Sequence, residues 1–325
     1  MITYVERQAG ELAAAGRWPE LLGLFRRLRD TSPRTAGPIG HLLAYKAPPE
    51  HAARLFDRDG GPHAAAGEHD HDAGPLWEVL ATRHSWRRLA PLLEPAPVRR
   101  LVAHTRALLG EEVAGRAEAD PEGVPFALEP WEQAGWEEGV RVRDYLPAGG
   151  ARRALFALPD TREDLVRLDL PVAGRPVAGF AGARLSHTLA PWLTAVCVQG
   201  TAPDAAARLA PGRRVLAGHL PFAAAYPALV QAASGTPRLG TAHGRLAVWH
   251  LLAAMAGTAR PVAAEVNALV ARLRCLAWSE PRDELWYLHL ALEDPATGLA
   301  WAVSGTAEAW GVPQQPGVDG LHQWC

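Results

Sequence analysis

The segment that most constrains the fold lies near the C-terminus, where ELWYLHLALEDPATGLAWAVSGT holds two strand-like runs around Asp294-Pro295-Ala296-Thr297-Gly298. Aspartate at the entry, proline next and glycine at the end is the pattern of a type I turn followed by a glycine bulge. Because side chains alternate between the faces of a strand, we expect Leu288, Leu290 and Leu292 to share one face with Trp286. Tyr287, His289, Ala291 and Glu293 would share the other. The sequence therefore predicts a β-hairpin at this end of the chain.

The first 110 residues have a helical pattern instead. Leu21, Leu24, Phe25 and Leu28 recur at the spacing of one helical face. The runs GRWPELLGLFRRL and HSWRRLAPLL begin 68 residues apart, twice the roughly 34-residue period of helix-pair repeats. The copy between them, near EHAARLF, matches poorly. A helical repeat and a plain helical bundle therefore both remain open.

Further along, residues 181–278 are dominated by small and apolar side chains. Their spacing predicts four helices, at Leu185–Val198, Phe222–Ala233, Ala242–Ala256 and Val262–Leu276. The third is apolar nearly all round, which is typical of a buried core helix. Short strand-like runs precede this region, at Val140–Tyr145, Ala154–Leu158 and Leu165–Leu170.

A change of composition indicates how these elements are divided into domains. The stretch from about Glu111 to Gly150 is rich in glutamate, glycine and proline. We therefore predict a helical bundle or repeat-like region at 1–110, a connection at 111–150, and an α+β domain with the C-terminal hairpin at 151–325. The predicted fold class is mostly α, with this α+β region at its C-terminal end.

Composition and charge narrow the function classes. The hydrophobic fraction of 48% and the charged fraction of 21% are those of an ordinary folded protein. A formal net charge of -2 provides no long-range field to attract polyanions, so no nucleic-acid partner is expected. No apolar run reaches the roughly 18 residues of a membrane span, so no membrane partner is expected either. The three cysteines form no CxxC pair, and the N-terminus lacks a signal-peptide pattern, which together favour the cytoplasm.

A loop rich in histidine and aspartate is the candidate metal site. The run DGGPHAAAGEHDHDAG places His63, His69 and His71 close together among carboxylates. Imidazole and carboxylate groups suit Zn²⁺ or another transition metal. The same run lacks apolar periodicity and matches no metal signature such as HExxH, so a solvated loop without a bound ion is the alternative.

The candidate catalytic residues lie in the second half of the chain. They are His219, His243, Arg245 and His250. His243 and His250 are seven residues apart and would share a helical face, and an arginine between them can bind an anion or support acid–base work. The alternative is that these are hydrogen-bonded polar residues in an apolar layer. No G-x-S-x-G elbow, Walker A motif or Rossmann fingerprint is present.

Tryptophan is frequent, with 12 residues in the chain. Trp131, Trp136, Trp310 and Trp324 lie in polar or glycine-rich surroundings, where an aromatic side chain either rims a ligand or partner surface or packs under a loop.

Two function classes follow from these observations. The first is a binding or accessory protein that holds a protein or a small molecule. The second is an enzyme with a His/Arg acid–base site that acts on a small anionic molecule. The sequence indicates no particular cofactor.

Three runs near the C-terminus carry a resemblance to a known family. They are AGHLPFAAAYPALVQAAS, AHGRLAVWHLLAAMAG and WYLHLALEDPATGLAWAVSGTAE. Together they resemble an uncharacterised actinobacterial family, a domain of unknown function. The resemblance implies an actinobacterial cytosolic source and no activity.

Overall fold

In the computed structural model, the described residues are 4–57, 74–94, 96–115, 119–152, 165–177, 189, 193–234, 239–280 and 287–306. The predicted metal ligands His63, His69 and His71 lie outside the described residues, as do Trp286, Trp310 and Trp324.

The N-terminal part is helical, as predicted. Its helices are α1 (Tyr4–Ala14), α2 (Trp18–Arg29), α3 (Pro33–Lys46), α4 (Pro49–Ala52), α5 (Leu76–Arg83), α6 (Trp86–Leu89) and α7 (Ala96–Leu108). A 3₁₀ turn at Ala53–Phe56 extends α4. The predicted apolar face of α2 is confirmed, because Leu21, Leu24 and Phe25 are all buried.

Along the chain these helices form three successive pairs, α1–α2, α3–α4 and α5–α6, followed by α7. The first helix of each pair contacts the first helix of the next, in the order α1, α3, α5 and α7. The two similar sequence runs are the second helices α2 and α6, which begin at Trp18 and Trp86. Between them, the poorly matching copy is α4 with its 3₁₀ turn. A short helix is therefore present at the position of the middle copy, while the choice between a helical repeat and a plain bundle stays a prediction.

The connection after residue 110 is irregular, with one short helix that matters for the site. It holds α8 (Pro130–Gln133), a 3₁₀ turn at Glu137–Gly139, and the paired strands β1 (Asp144–Tyr145) and β2 (Ala151–Arg152). The predicted strand Val140–Tyr145 is therefore wrong except for its last two residues.

The C-terminal part is built on a seven-stranded antiparallel sheet with the order β3-β6-β7-β8-β9-β5-β4. Its strands are β3 (Val166–Asp169), β4 (Arg175–Pro176), β5 (Thr194–Gln199), β6 (Arg214–Leu220), β7 (Arg274–Ser279), β8 (Tyr287–Asp294) and β9 (Leu299–Thr306). The helices among the described residues of this part are α9 (Ala202–Leu209), α10 (Phe222–Ala233), α11 (Thr241–Met255) and α12 (Ala263–Arg272).

The predicted hairpin is confirmed as β8 and β9. At the turn, the Asp294 carbonyl accepts hydrogen bonds from the amides of Thr297 and Gly298. Gly298 adopts φ 65°, the left-handed conformation that the glycine-bulge pattern requires. Leu288, Leu290 and Leu292 face one core cluster and Ala291 faces another, as the alternation predicts.

Two of the predicted helices are partly wrong. The end of Leu185–Val198 is strand β5, and the end of Val262–Leu276 is the beginning of β7. Strand β7 is buried on both faces, so its sequence is continuously apolar and carries no alternation that distinguishes a strand from a buried helix. Strand β6 lies in a region for which only helices were predicted. By contrast, the predicted helix Phe222–Ala233 is confirmed as α10.

Helices cover the two faces of the sheet unequally. One face packs against the alanine-rich helix α9, in a cluster with Val215, Leu276 and Trp278. The other face packs against α10, α11 and α12. Helix α11 also contacts α7, so it lies between the sheet and the N-terminal helices. It is buried almost throughout, which confirms the prediction of a core helix.

Within the described part of the chain, no helix is long and apolar enough to cross a membrane.

Candidate functional site

Arg245 lies on α11 and is completely buried. Its Nε donates to Glu132 Oε1 at 2.8 Å and its Nη2 to Glu132 Oε2 at 2.9 Å, which makes a two-point ion pair. Nη2 also donates to the carbonyl of Pro125 at 2.8 Å. Nη1 lies 2.6 Å from His104 Nδ1. Every nitrogen of this guanidinium therefore has a protein partner.

Glu132 is the centre of this cluster. It lies on α8, where its carboxylate accepts from the Glu129 amide at 3.0 Å as part of a capping box. Oε1 also accepts from the Tyr226 hydroxyl at 2.8 Å and from Trp249 Nε1 at 2.9 Å. Burial by itself would raise the pKa of Glu132, but the charge and hydrogen bonds of Arg245 outweigh it and the pKa is lowered. Glu132 is therefore ionised in the folded protein.

His104 connects this ion pair to a second one. Its Nε2 lies 2.8 Å from Asp120 Oδ2, and Arg100 Nε donates to the same oxygen at 2.6 Å. Because a guanidinium can only donate, Nδ1 of His104 must accept from Arg245, so the imidazole is neutral and carries its proton on Nε2. Burial lowers the pKa of His104 to about 4, and the positive charge of Arg245 adds to this against the raising effect of Asp120. The cluster is thus a chain of alternating charges with a neutral histidine in the middle.

This arrangement predicts a pH-dependent stability. The pKa of His104 is about 4 in the folded protein, whereas 6.5 is the ordinary value expected in the unfolded chain. As the pH falls, the unfolded chain therefore binds a proton at His104 before the folded protein does. Stability from this group is complete above pH 6.5 and is lost between pH 6.5 and 4, by about 3 kcal/mol at roughly 1.4 kcal/mol per pKa unit. Asp120 and Glu132 have lowered pKa values, so their contributions are lost only at lower pH.

We therefore expect the free energy of unfolding to fall less in H104Q than in the wild type when the pH is lowered from 7 to 4.5. The difference between the two decreases should be about 2 to 3 kcal/mol. Urea unfolding at several pH values measures this, and the contributions of the other histidines cancel in the difference. Equal pH slopes for the two proteins would contradict the neutral buried imidazole.

The predicted catalytic residues do not meet around one cavity. His250 Nε2 lies 2.6 Å from Glu122 Oε2, which pairs with Arg100 through its other oxygen at 2.8 Å, near the surface. His243 is exposed on α11. His219 lies on β6 opposite Leu276, on the sheet face that α9 covers, so the sheet separates it from α11. Arg245 is completely buried and each nitrogen of its guanidinium already contacts a protein partner, so it is not open to an anion from solvent.

An open cleft of about 700 Å³ lies where α9 begins. It is lined by Thr201, Pro203, His219, Leu220, Pro221, Leu273, Arg274 and Glu293. His219 Nδ1 lies 3.1 Å from the carbonyl of Cys275, which fixes the Nδ1–H tautomer of a neutral imidazole. Its Nε2 has no hydrogen-bond partner among the described residues. The cleft thus brings one predicted site residue together with Arg274 and Glu293, which sequence reasoning missed.

The tryptophans and cysteines among the described residues form no further ligand site. Trp136 is buried and Trp131 packs against Phe222, Tyr226 and Trp249, so neither forms an exposed rim. Cys197 and Cys275 are buried on strands, and burial raises the pKa of the Cys275 thiol to about 12. Among the described residues, no group of three or more His, Cys, Asp or Glu side chains is arranged to hold a metal ion.

Comparison with known proteins finds no family model, no curated protein and no solved structure that matches this chain. The resemblance of the C-terminal runs to an actinobacterial family therefore stays a prediction.

Proposed function

We propose that this chain is a binding protein and that a small molecule occupies the cleft beside α9. The cleft itself carries this proposal: it is open to solvent, and the exposed side chains of His219 and Arg274 line it. The cluster around Glu132 supports the same choice, since Arg245 is completely buried there and each of its guanidinium nitrogens already has a protein partner. Small-molecule sites are concave and mostly apolar, with a few polar groups that orient the ligand.

An enzyme is the second candidate, and one observation favours it. The Cys275 carbonyl holds His219 in the tautomer that leaves Nε2 as a proton acceptor in the cleft. A general base needs this arrangement, in which a second group orients the imidazole. In this alternative, Arg274 has the anion-binding role that the sequence analysis predicted for Arg245.

Two matched variants test whether the cleft binds a ligand. H219W fills the cleft with an indole, whereas L216W adds the same side chain to the same strand on the opposite face, where Leu216 is exposed. In a fragment screen by ligand-observed NMR, we expect cleft-binding compounds to lose binding to H219W and to keep it with L216W. If no compound distinguishes the two variants, this cleft is not the binding site.

Turnover separates the two candidates. Compounds that bind the cleft are incubated with wild-type protein and with H219N, and their NMR spectra are followed over a day. An enzyme converts at least one of them, and H219N slows that conversion at least tenfold. Unchanged compounds that still bind would contradict the enzyme and leave the binding protein in place.

A further inference from the structure

We infer that the ligand of this cleft is an amphipathic anion, with a carboxylate or phosphate monoester group that Arg274 binds and an apolar body that lies on the cleft wall. The inference rests on the proposed function and adds the chemical class of the ligand. It is argued from the hydrogen bonds and ion pairs that the charged groups of the cleft already make within the protein.

Arg274 is the cation that is available to a ligand. Its side chain is 66% exposed. Its Nη1 lies 3.6 Å from Glu293 Oε1, beyond hydrogen-bond distance, and it makes no hydrogen bond to any described residue. A guanidinium offers paired donors that match the oxygens of a carboxylate or a phosphate. Arg274 can therefore bind such a group without giving up a hydrogen bond.

Glu293 is not equally available to a cationic ligand. Its side chain is only 11% exposed, and its Oε2 accepts from the Ala202 amide at 3.0 Å at the beginning of α9. A cation could bind Oε1 without breaking this hydrogen bond, but Oε1 already lies 3.6 Å from Arg274 Nη1, so the cation would lie next to a guanidinium of like charge. Because Arg274 is far more exposed than Glu293, we expect the cleft to prefer anions although it contains one charge of each sign.

The beginning of α9 is not itself the anion site. Besides the Ala202 amide that Glu293 holds, the Thr201 amide donates to Asp204 Oδ2 at 2.7 Å in a capping box. Protein carboxylates thus already occupy the positions that an anion takes at a free helix N-terminus. Recognition has to come from the side chains on the sheet.

His219 supplies the second polar contact. The Nδ1–H of its ring faces the Cys275 carbonyl, so Nε2 is the nitrogen left for a ligand. Neutral, Nε2 accepts from the hydroxyl of a phosphate monoanion; protonated, it donates to an anionic oxygen. The charged groups that line the cleft with it are Arg274 on β7 and Glu293 on β8.

Apart from Thr201, the remaining lining is apolar. Leu220 and Pro221 lie at the end of β6, Leu273 precedes β7, and Pro203 lies in the first turn of α9. These side chains offer a hydrocarbon surface next to Arg274. A ligand with an apolar body gains from covering this surface, at about 25 cal/mol for each Å² removed from water.

A probe series tests the inference on the full-length protein. Phenyl phosphate, benzoate, benzyl alcohol, benzylamine and inorganic phosphate are titrated by isothermal calorimetry and ligand-observed NMR. We expect phenyl phosphate or benzoate to bind at least tenfold more tightly than the neutral and cationic probes. Comparison of these two probes shows whether the cleft prefers a phosphate or a carboxylate. Inorganic phosphate should bind more weakly than phenyl phosphate, since it lacks the apolar body.

Two variants connect this preference to Arg274. R274Q should weaken binding of the anionic probes at least tenfold, and R274K should keep part of it because the charge remains. R167Q, which removes an exposed arginine from β3, is the matched control and should have no effect. Circular dichroism confirms that each variant is folded.

The outcomes distinguish the inference from the proposed function. If benzyl alcohol or benzylamine binds as tightly as the anions, or R274Q leaves anion binding unchanged, the inference is wrong, while loss of binding in H219W still supports a ligand site. If inorganic phosphate binds as tightly as phenyl phosphate, the apolar wall takes no part and the amphipathic ligand is overturned. If neither the screen nor the probes distinguish H219W from L216W, the proposed function fails as well.

Discussion

E132A is expected to lower the free energy of unfolding by about 3–5 kcal/mol, the usual cost of removing one partner from a buried ion pair. The variant leaves the Arg245 guanidinium completely buried without its direct countercharge, since its other partners are carbonyls, the neutral His104 and the hydroxyl of Tyr226. It also removes the acceptor of the Tyr226 hydroxyl and of Trp249 Nε1, both of which are buried. Each buried donor without a partner adds to the cost.

Urea unfolding followed by tryptophan fluorescence measures this loss. E137A is the matched control, because Glu137 is exposed five residues further along and its removal should change stability by less than about 0.5 kcal/mol. R245A and the double variant complete a double-mutant cycle. Because the two side chains are direct partners, the double variant should be less destabilised than the sum of the single ones. Additive effects, or an E132A as stable as E137A, would refute the role of this pair.

G244A is expected to be strongly destabilising although it adds only one methyl group. Helices α10 and α11 approach each other closely at Gly244, where an added Cβ would lie 2.2 Å from the Val230 carbonyl oxygen. It would also lie 2.8 Å from Ser234 Oγ. Since the nearest atom belongs to the backbone, no side-chain rotation relieves the clash and the helices have to separate. Overpacking of a core usually costs about 1–3 kcal/mol, and this site should reach or exceed the upper end.

The matched control for this variant is G10A. Gly10 lies within α1 and has nothing within 4 Å of an added Cβ, so alanine should stabilise the helix by about 0.5–1 kcal/mol. Thermal unfolding of the two variants should therefore shift in opposite directions. A G244A protein with an unchanged melting temperature would mean that α10 and α11 are not in close contact.

The Glu132 cluster has a consequence for how the chain is organised. Arg100 and His104 belong to the predicted region 1–110, Asp120 and Glu132 to the connection 111–150, and Arg245 to the predicted domain 151–325. A second contact of the same kind joins Glu78 on α5 to the Tyr145 hydroxyl, at 2.7 Å, and to the Thr241 amide. Variants in either contact should therefore weaken the packing of α11 against the N-terminal helices.

Local interactions explain what could be predicted from the amino-acid sequence. The pattern around Asp294 and Gly298 predicts the hairpin because its turn depends on neighbouring residues alone. The apolar spacing of Leu21, Leu24 and Phe25 likewise reports one buried face of α2. In both cases the signal lies within a few residues of the structure that it indicates.

Contacts between distant segments account for the rest. Segments β5, β6 and β7 are strands because each pairs with neighbouring strands of the sheet, and a run of apolar residues cannot show which neighbours it will have. Arg245 pairs with a glutamate 113 residues earlier, so its sequence neighbours His243 and His250 suggested a shared site that the fold does not build. His219 meets Arg274 and Glu293 only because β6, β7 and β8 are adjacent in the sheet. Residue types therefore identified candidate chemistry, whereas long-range pairing determined which of those residues line the cleft.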